Sequence, residues 1–232
     1  MFRKVRIILQ AITTYKIVEI FNSIEGEGKR AGATATFIRL AGCNLRCTYC
    51  DTTYSYGEKG GEYQTMTLDE IITLVNNRRF FRVTITGGEP LLAPGVNMLI
   101  NHLLTEGCEV NIETNGSVDI TSFISITDKL FFTIDYKLPS SGVTDKMFLQ
   151  NYDKLRPWDV LKFVVGSDAD LKHMIDVIKK LKSNPQIYIG AVYDSYPLQN
   201  IVTAMLDNPI LKDTHLQLQF HKIIWNVDQR GV

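Results

Sequence analysis

Three cysteines fall within eight residues, Cys43-Asn-Leu-Arg-Cys47-Thr-Tyr-Cys50. A loop of that length can wrap three thiolates around one metal centre, and thiolates suit both zinc and iron–sulfur clusters. The set is a ligand short. A structural zinc site needs a fourth Cys or His nearby, and the remaining cysteine, Cys108, reads as a small buried residue after a helical stretch. An open iron, in contrast, offers a coordination position to a substrate or cosubstrate. A second polar loop, Gly87-Gly88-Glu89-Pro90, has the composition of a tight turn. Four cysteines so bunched make no disulfide framework and point to a reducing compartment, so a cytoplasmic location is expected.

Strands must carry these loops. From Tyr15 onward, β-branched and aromatic runs alternate with amphipathic segments, the pattern of strands followed by crossover helices. Candidate strands are Lys16–Phe21, Thr34–Leu40, Arg82–Thr86, Glu109–Glu113, Phe131–Asp135, Val160–Val165, Gln186–Val192 and Leu216–Phe220. Several are continuously apolar, as parallel strands covered on both faces require. Thr67-Leu-Asp-Glu70 is a capping box opening a helix towards Asn76. A second helix is written in Leu171, Met174, Ile175, Ile178 and Leu181, with Ser167 or Asp168 as its cap. The cysteine loop, the Gly87-Gly88 turn and Thr114-Asn115-Gly116 each follow a strand, so a barrel-like sheet would converge them on one face.

The chain has 232 residues, with 25 Lys plus Arg balanced by 25 Asp plus Glu. Such a chain builds one α/β domain and lacks the positive field that draws proteins onto nucleic acid. No run is apolar enough to span a membrane, and no membrane partner is expected. Residues 1–14 form an uninformative N-terminal extension, and 15–232 are expected to fold as a single unit.

The C-x3-C-x2-C spacing resembles the radical S-adenosylmethionine superfamily, and Gly87-Gly88-Glu89-Pro90 resembles that superfamily's element for the aminoacyl end of the cosubstrate. The resemblance narrows through Glu19-Ile-Phe-Asn-Ser-Ile-Glu-Gly-Glu-Gly28, Phe37–Thr52, Thr86–Pro90, Glu113–Gly116, Asp135-Tyr-Lys137 and His221–Trp225. Together these are similar to the 7-carboxy-7-deazaguanine synthases of queuosine and 7-deazapurine biosynthesis.

That resemblance implies a partial, trimmed TIM-like barrel of mainly parallel strands. It also implies a homodimer, a 4Fe-4S cluster, S-adenosylmethionine, Mg2+ and an electron donor such as flavodoxin or ferredoxin. The implied reaction contracts the ring of 6-carboxy-5,6,7,8-tetrahydropterin to give 7-carboxy-7-deazaguanine and ammonia, with the radical supplied by the cofactor. Cys43, Cys47 and Cys50 would hold the cluster and Thr52 the magnesium. Glu25, Gly26, Glu27, Arg39, Thr86, His221 and the terminal Val232 would meet the substrate. Tyr49, Asp51, Gly88, Glu89, Asp135, Tyr136 and Lys137 would meet the cosubstrate.

Several of these residues have an ordinary alternative. Glu25 and Glu27 could form a solvated turn, Thr52 could cap a helix, Arg39 could end a strand at the surface, and Lys137 could be a surface charge. Glu25 also stands where many members of the family have Gln. Two rival functions remain: an activase that plants a glycyl radical on a partner enzyme, and a zinc-binding module. The pairing of Glu27 with Arg39 argues against the activase, because a protein-backbone substrate has no use for it.

Overall fold

A computed structural model describes residues 13–57, 62–78, 80–125 and 127–232. Most of the expected N-terminal extension, residues 1–12, lies outside these. The described residues build a nine-stranded open sheet in the order β3-β1-β2-β4-β5-β6-β7-β8-β9. Its strands are β1 (Thr14–Ile24), β2 (Thr34–Leu40), β3 (Gln64–Thr67), β4 (Arg82–Gly87), β5 (Glu109–Thr114), β6 (Leu130–Tyr136), β7 (Val160–Val165), β8 (Gln186–Ala191) and β9 (Thr214–Leu216). From β2 through β9 each neighbour runs parallel, whereas β1 pairs antiparallel with both β2 and β3. The fold is therefore the expected mainly parallel partial barrel, open rather than closed.

Strand alternation separates the two faces of the sheet. Successive side chains on a strand point to opposite faces. One face carries Ile38 and Leu40, Val83 and Ile85, Ile112, Phe132 and Ile134, and Leu161 and Phe163, all almost wholly buried. Against it pack α2 (Val96–Thr105) through Leu99 and Leu103, α3 (Asp168–Lys180) through Met174, and α4 (Leu198–Asp207) through Ile201. The other face carries Arg39, Thr86, Glu113, Thr133, Asp135 and Lys162, all of which line one cavity. The register sets Arg39 beside Thr86, Glu113 beside Thr133, and Asp135 beside Lys162.

The capping box forms at the start of α1 (Leu68–Arg78): the Thr67 amide donates to Glu70 Oε2 at 2.7 Å, and the Glu70 amide donates to Thr67 Oγ1 at 3.3 Å. Ser167 caps α3 by accepting from the Asp170 amide at 3.2 Å. The expected strand Leu216–Phe220 is corrected. β9 ends at Leu216, and Phe220 opens a short helix, α5 (Phe220–Ile224). The reason is that the chain leaves the sheet edge after the Gln217 amide bonds Ile189 O at 2.9 Å, and then crosses so that the Phe220 amide donates to Gly26 O at 3.2 Å.

The glycine turn after β4 locks the cysteine loop in place. The Gly88 amide donates to Leu40 O at 3.2 Å and the Glu89 amide to Gly42 O at 2.7 Å. Gly87 adopts φ 145°, and a Cβ on Gly88 would come within 2.7 Å of Cys43 Cβ and closer still to the Gly42 backbone. Only glycine permits this approach. Gly88→Ala is expected to displace the cysteine loop while leaving the sheet intact. Iron per chain after reconstitution should fall several-fold with an unchanged far-ultraviolet circular dichroism spectrum; full iron loading would contradict this account of the contact.

Candidate active site

A cavity of about 710 Å³ opens on the polar face of the sheet. Cys43, Cys47, Tyr49, Cys50, Asp51 and Thr52 line it from the loop after β2, and Thr86, Gly87 and Gly88 from the end of β4. Asp135, Lys137 and Lys162 line its floor, while Gly26, Glu27, His221 and Val232 border it from the β1–β2 loop and the C-terminal segment. Most residues expected from sequence to meet a ligand are thus brought together.

The three cysteines are free and half-buried. The Leu45 amide donates to Cys43 Sγ at 3.4 Å, and Asn115 Nδ2 lies 3.8 Å from the same sulfur. Burial pushes the Cys43 and Cys47 thiols up, against hydrogen bonds to Cys43 and the charge of Lys137 near Cys47. A cationic centre is what would keep them as thiolates. Among the described residues no three Cys, His, Asp or Glu side chains converge as ligands of a single ion. Three thiols that line one cavity fit a polynuclear cluster, in which each would bind a separate iron. Cys108 is buried beside the start of β5, at the opposite end of that strand from Thr114.

Charge pairs occupy the floor. Lys162 Nζ sits 2.9 Å from Glu27 Oε2 and 3.2 Å from Asp135 Oδ1, while Lys137 Nζ bonds Asp135 Oδ2 at 2.6 Å. Burial alone would raise Asp135, but the two ammonium groups outweigh it and hold the carboxyl below its ordinary range. Burial likewise disfavours the charged forms of Lys137 and Lys162, and their carboxylate neighbours more than offset it, raising both. Glu27 Oε1 accepts from Gln217 Nε2 at 3.3 Å, so Glu27 is held from two sides. Arg39 donates through Nε to Glu19 Oε1 at 2.7 Å and lies between the rings of Phe21 and Tyr54, each 5.8 Å away. Arg39 also lines the cavity.

The C-terminal segment borders the mouth of the cavity. His221 packs on Gly26 so closely that a Cβ there would lie 2.7 Å from Nδ1. Burial pushes the imidazole down, against the pull of Glu27 and Asp51. Lys222 Nζ pairs with Asp51 at 2.9 Å. Burial would raise Asp51, and Lys222, His221 and Lys162 together hold it low instead. Arg230 lies 4.0 Å over the Tyr54 ring, and Val232 ends in the cavity wall. Burial raises Tyr49, between the cysteines, to about 12. Thr52 caps no helix: its side chain makes no cap bond to the turn Thr53–Ser55, and its hydroxyl lies 3.8 Å from Cys50 Sγ.

Three expected contacts lie behind the lining. The Glu25 carboxylate is buried against Arg30 Nη2 at 2.5 Å and the Thr84 hydroxyl, so its charge is spent inside the protein. Glu89 accepts from the Leu91 amide at 3.0 Å, the Asn115 amide at 2.7 Å and the Thr114 hydroxyl at 2.9 Å, tying the β4 and β5 loops together; burial pushes it up to about 7. The Tyr136 side chain points to the apolar face, with its hydroxyl 3.3 Å from His173 Nε2 and its ring 5.0 Å from that of Tyr152. The turn amides of Gly88 and Glu89 are already bonded, which leaves carbonyls as its groups for an ammonium. Sequence reasoning missed Lys162, Gln217 and Glu19 as site residues.

Residues 37–134 match the Radical SAM superfamily. A 7-carboxy-7-deazaguanine synthase of Clostridium acetobutylicum is 46% identical over 221 residues, covering 94% of this chain and 99% of the relative. One from Methanospirillum hungatei is 40% identical over 213 residues, covering 90% and 85%. The crystal structure of QueE from Escherichia coli superposes with a TM-score of 0.75 at 21% identity, over 92% of this chain and 97% of that one. Streptococcus suis SuiB bound to S-adenosylmethionine shares the fold more distantly, with a TM-score of 0.54 at 12% identity over 75% of this chain and 44% of SuiB.

Glu113, in the cavity wall, supplies a pH test. Burial and the charges of Glu25 and Glu27 push it up to about 7, against Lys162 and the Thr86 hydroxyl. Because its folded pKa lies above the ordinary 4.5, its contribution to stability is complete below that value and is lost as pH rises through about 7. Glu113→Gln cannot ionise, so its melting temperature relative to wild type should climb between about pH 5 and about pH 8. A difference independent of pH would mean that Glu113 ionises as freely as it does in water.

Proposed function

Because the chain belongs to the 7-carboxy-7-deazaguanine synthase family of radical S-adenosylmethionine enzymes, we propose how its own residues perform the ring contraction of 6-carboxy-5,6,7,8-tetrahydropterin to 7-carboxy-7-deazaguanine and ammonia. When bound, the 4Fe-4S cluster and S-adenosylmethionine supply one-electron cleavage of the sulfonium and a carbon radical that takes a substrate hydrogen. The protein's share is to hold the reacting carbon in place and exclude water.

Cys43, Cys47 and Cys50 would hold the cluster, a three-thiolate set that is one protein ligand short. Tyr49, Asp135, Lys137 and the carbonyls of the Gly87-Gly88 turn receive S-adenosylmethionine, with Asp51 beside them. The guanidinium of Arg39, already oriented by Glu19, forks onto the substrate carboxylate. Glu27 accepts from the pterin's amino and ring N–H edge, and Thr86, Gly26, His221 and Val232 complete the contact. Thr52 would offer its hydroxyl oxygen to a magnesium ion, a cation that prefers oxygen donors and keeps several waters. A flavodoxin- or ferredoxin-type donor would supply the cluster's electron, and the active unit would be a homodimer. Among the described residues no helix is long and apolar enough to cross a membrane.

The observation that carries this reading is that three thiols, the Arg39 fork and the Glu27 carboxylate line one cavity. The test is an anaerobic assay of reconstituted protein with S-adenosylmethionine, reductant, magnesium and carboxytetrahydropterin, followed by mass spectrometry. Wild type should give the ring-contracted product in a manner dependent on each component. Cys47→Ala should lose the cluster's absorbance and iron, whereas Glu27→Ala should keep both and lose turnover. Iron and 5′-deoxyadenosine without product would return the chain to the activase reading.

A further inference from the structure

Lys162 is a cation buried in the floor of the cavity that none of the roles above uses. It sits in the apolar run Val160-Leu-Lys-Phe-Val-Val165 of β7, and the parallel register places it beside Asp135 of β6. Its ammonium lies 2.9 Å from Glu27 and 3.2 Å from Asp135, and the Glu113 carboxyl adds to the field it feels. A lysine this enclosed is retained only if it is paired. Asp135 alone does not require it, because Lys137 already bonds the other carboxylate oxygen at 2.6 Å. Glu27 does require it: the other partner of that carboxylate is the neutral amide of Gln217.

The two carboxylates that Lys162 joins have different tasks. Glu27 comes from the loop between β1 and β2 and faces the substrate, while Asp135 comes from the end of β6 and faces the cosubstrate. The loop rests on β6 further along, where Lys29 and Arg30 lie over the Phe131 ring at 3.5 and 4.9 Å, but at Glu27 and Asp135 themselves the shared partner is the Lys162 ammonium. We propose that Lys162 is a positioning residue for the ring contraction, one that holds the substrate-facing Glu27 and the cosubstrate-facing Asp135 in one arrangement so that the radical carbon meets the correct substrate hydrogen. The proposal rests on the assignments of Glu27 and Asp135 made above. It deepens them by naming what aligns the two halves of the site.

A lysine that only stabilised the fold would, on removal, lower the melting temperature and the amount of active protein. A positioning lysine changes the fate of the radical. The test compares wild type, Lys162→Met and Lys162→Arg, each reconstituted and matched for iron content. It reads the KM for carboxytetrahydropterin and the ratio of ring-contracted product to 5′-deoxyadenosine. Lys162→Met is expected to raise KM about tenfold and to lower the ratio at least threefold, since S-adenosylmethionine is still cleaved but the radical misses its target. Lys162→Arg keeps the charge on a differently shaped head and should fall between the two. If the Met variant does not fold, the Arg variant decides.

A wild-type KM and product ratio in the folded variants would overturn the proposal while leaving the functional assignment untouched. Cleavage without product in the wild-type enzyme would remove the functional assignment, and the proposal with it.

Discussion

The site depends on burying charges in a concave sheet face without leaving them unpaired. Moving a carboxylate out of water is costly unless a cation and hydrogen bonds replace the water. Acids along this face have such partners: Glu19 with Arg39, Glu25 with Arg30, Glu27 with Lys162, and Asp135 with both Lys137 and Lys162. Glu89 and Glu113 have no ion-pair partner among the described residues, and both are pushed up to about 7. Removing one member of a buried pair costs about 3–5 kcal/mol. Half of this wall therefore cannot be changed without disturbing the other half.

The second constraint is distance. The cysteine loop leaves β2, the glycine turn leaves β4 and the Asn115 turn leaves β5, and because these neighbours run parallel all three emerge at the C-terminal ends of the strands. They are joined by bonds that only small residues and one buried acid allow. Gly88 lies against Gly42 and Cys43, and Glu89 accepts from both Thr114 and Asn115, whose side-chain amide approaches Cys43 Sγ. Glu89 thus works as a brace behind the cavity, which is why a residue inside a ligand-facing sequence motif turns out to be nearly inaccessible. The same logic explains Tyr136. It falls between Asp135 and Lys137, and strand alternation sends it to the opposite face.

These two cases show what could be read from the sequence and what could not. Local signals carried the cysteine loop, the glycine turn, the Thr67–Glu70 capping box, the Ser167 cap and the central strands, because spacing, capping and apolar runs are properties of neighbouring residues. β3 was missed because four residues, Gln-Thr-Met-Thr, carry no pattern of their own and form a strand only by pairing with β1. Lys162 was missed because a lone lysine in an apolar run looks like an imperfect core strand, and its role appears only when β7 is set beside β6. Gln217 falls inside an expected strand, and nothing next to Glu19 in the sequence marks it as the partner of Arg39, twenty residues on. Glu25 shows the converse: its place in a recognised motif suggests a ligand contact, while in the structure its carboxylate pairs with Arg30, five residues away.

The polar face also bears on the choice between enzyme types. An activase must admit a segment of another protein, and its site needs a channel that accepts backbone. This cavity ends instead in groups matched to a small, doubly functional molecule. At one side an arginine fork is held by Glu19 with Phe21 and Tyr54 around it, and at the other a carboxylate is fixed through both oxygens by Lys162 and Gln217. The C-terminal segment borders the mouth, tied to the cysteine loop by Lys222 and Asp51 and to the β1–β2 loop by the Phe220 amide and Gly26. On the proposed assignments, a peptide would have to part both ties, whereas a compact pterin would lie beneath them, carboxylate towards Arg39 and amino edge towards Glu27. On those assignments, the preference for a small ring over a protein substrate would rest on these two held groups as much as on the cysteines that identify the chemistry.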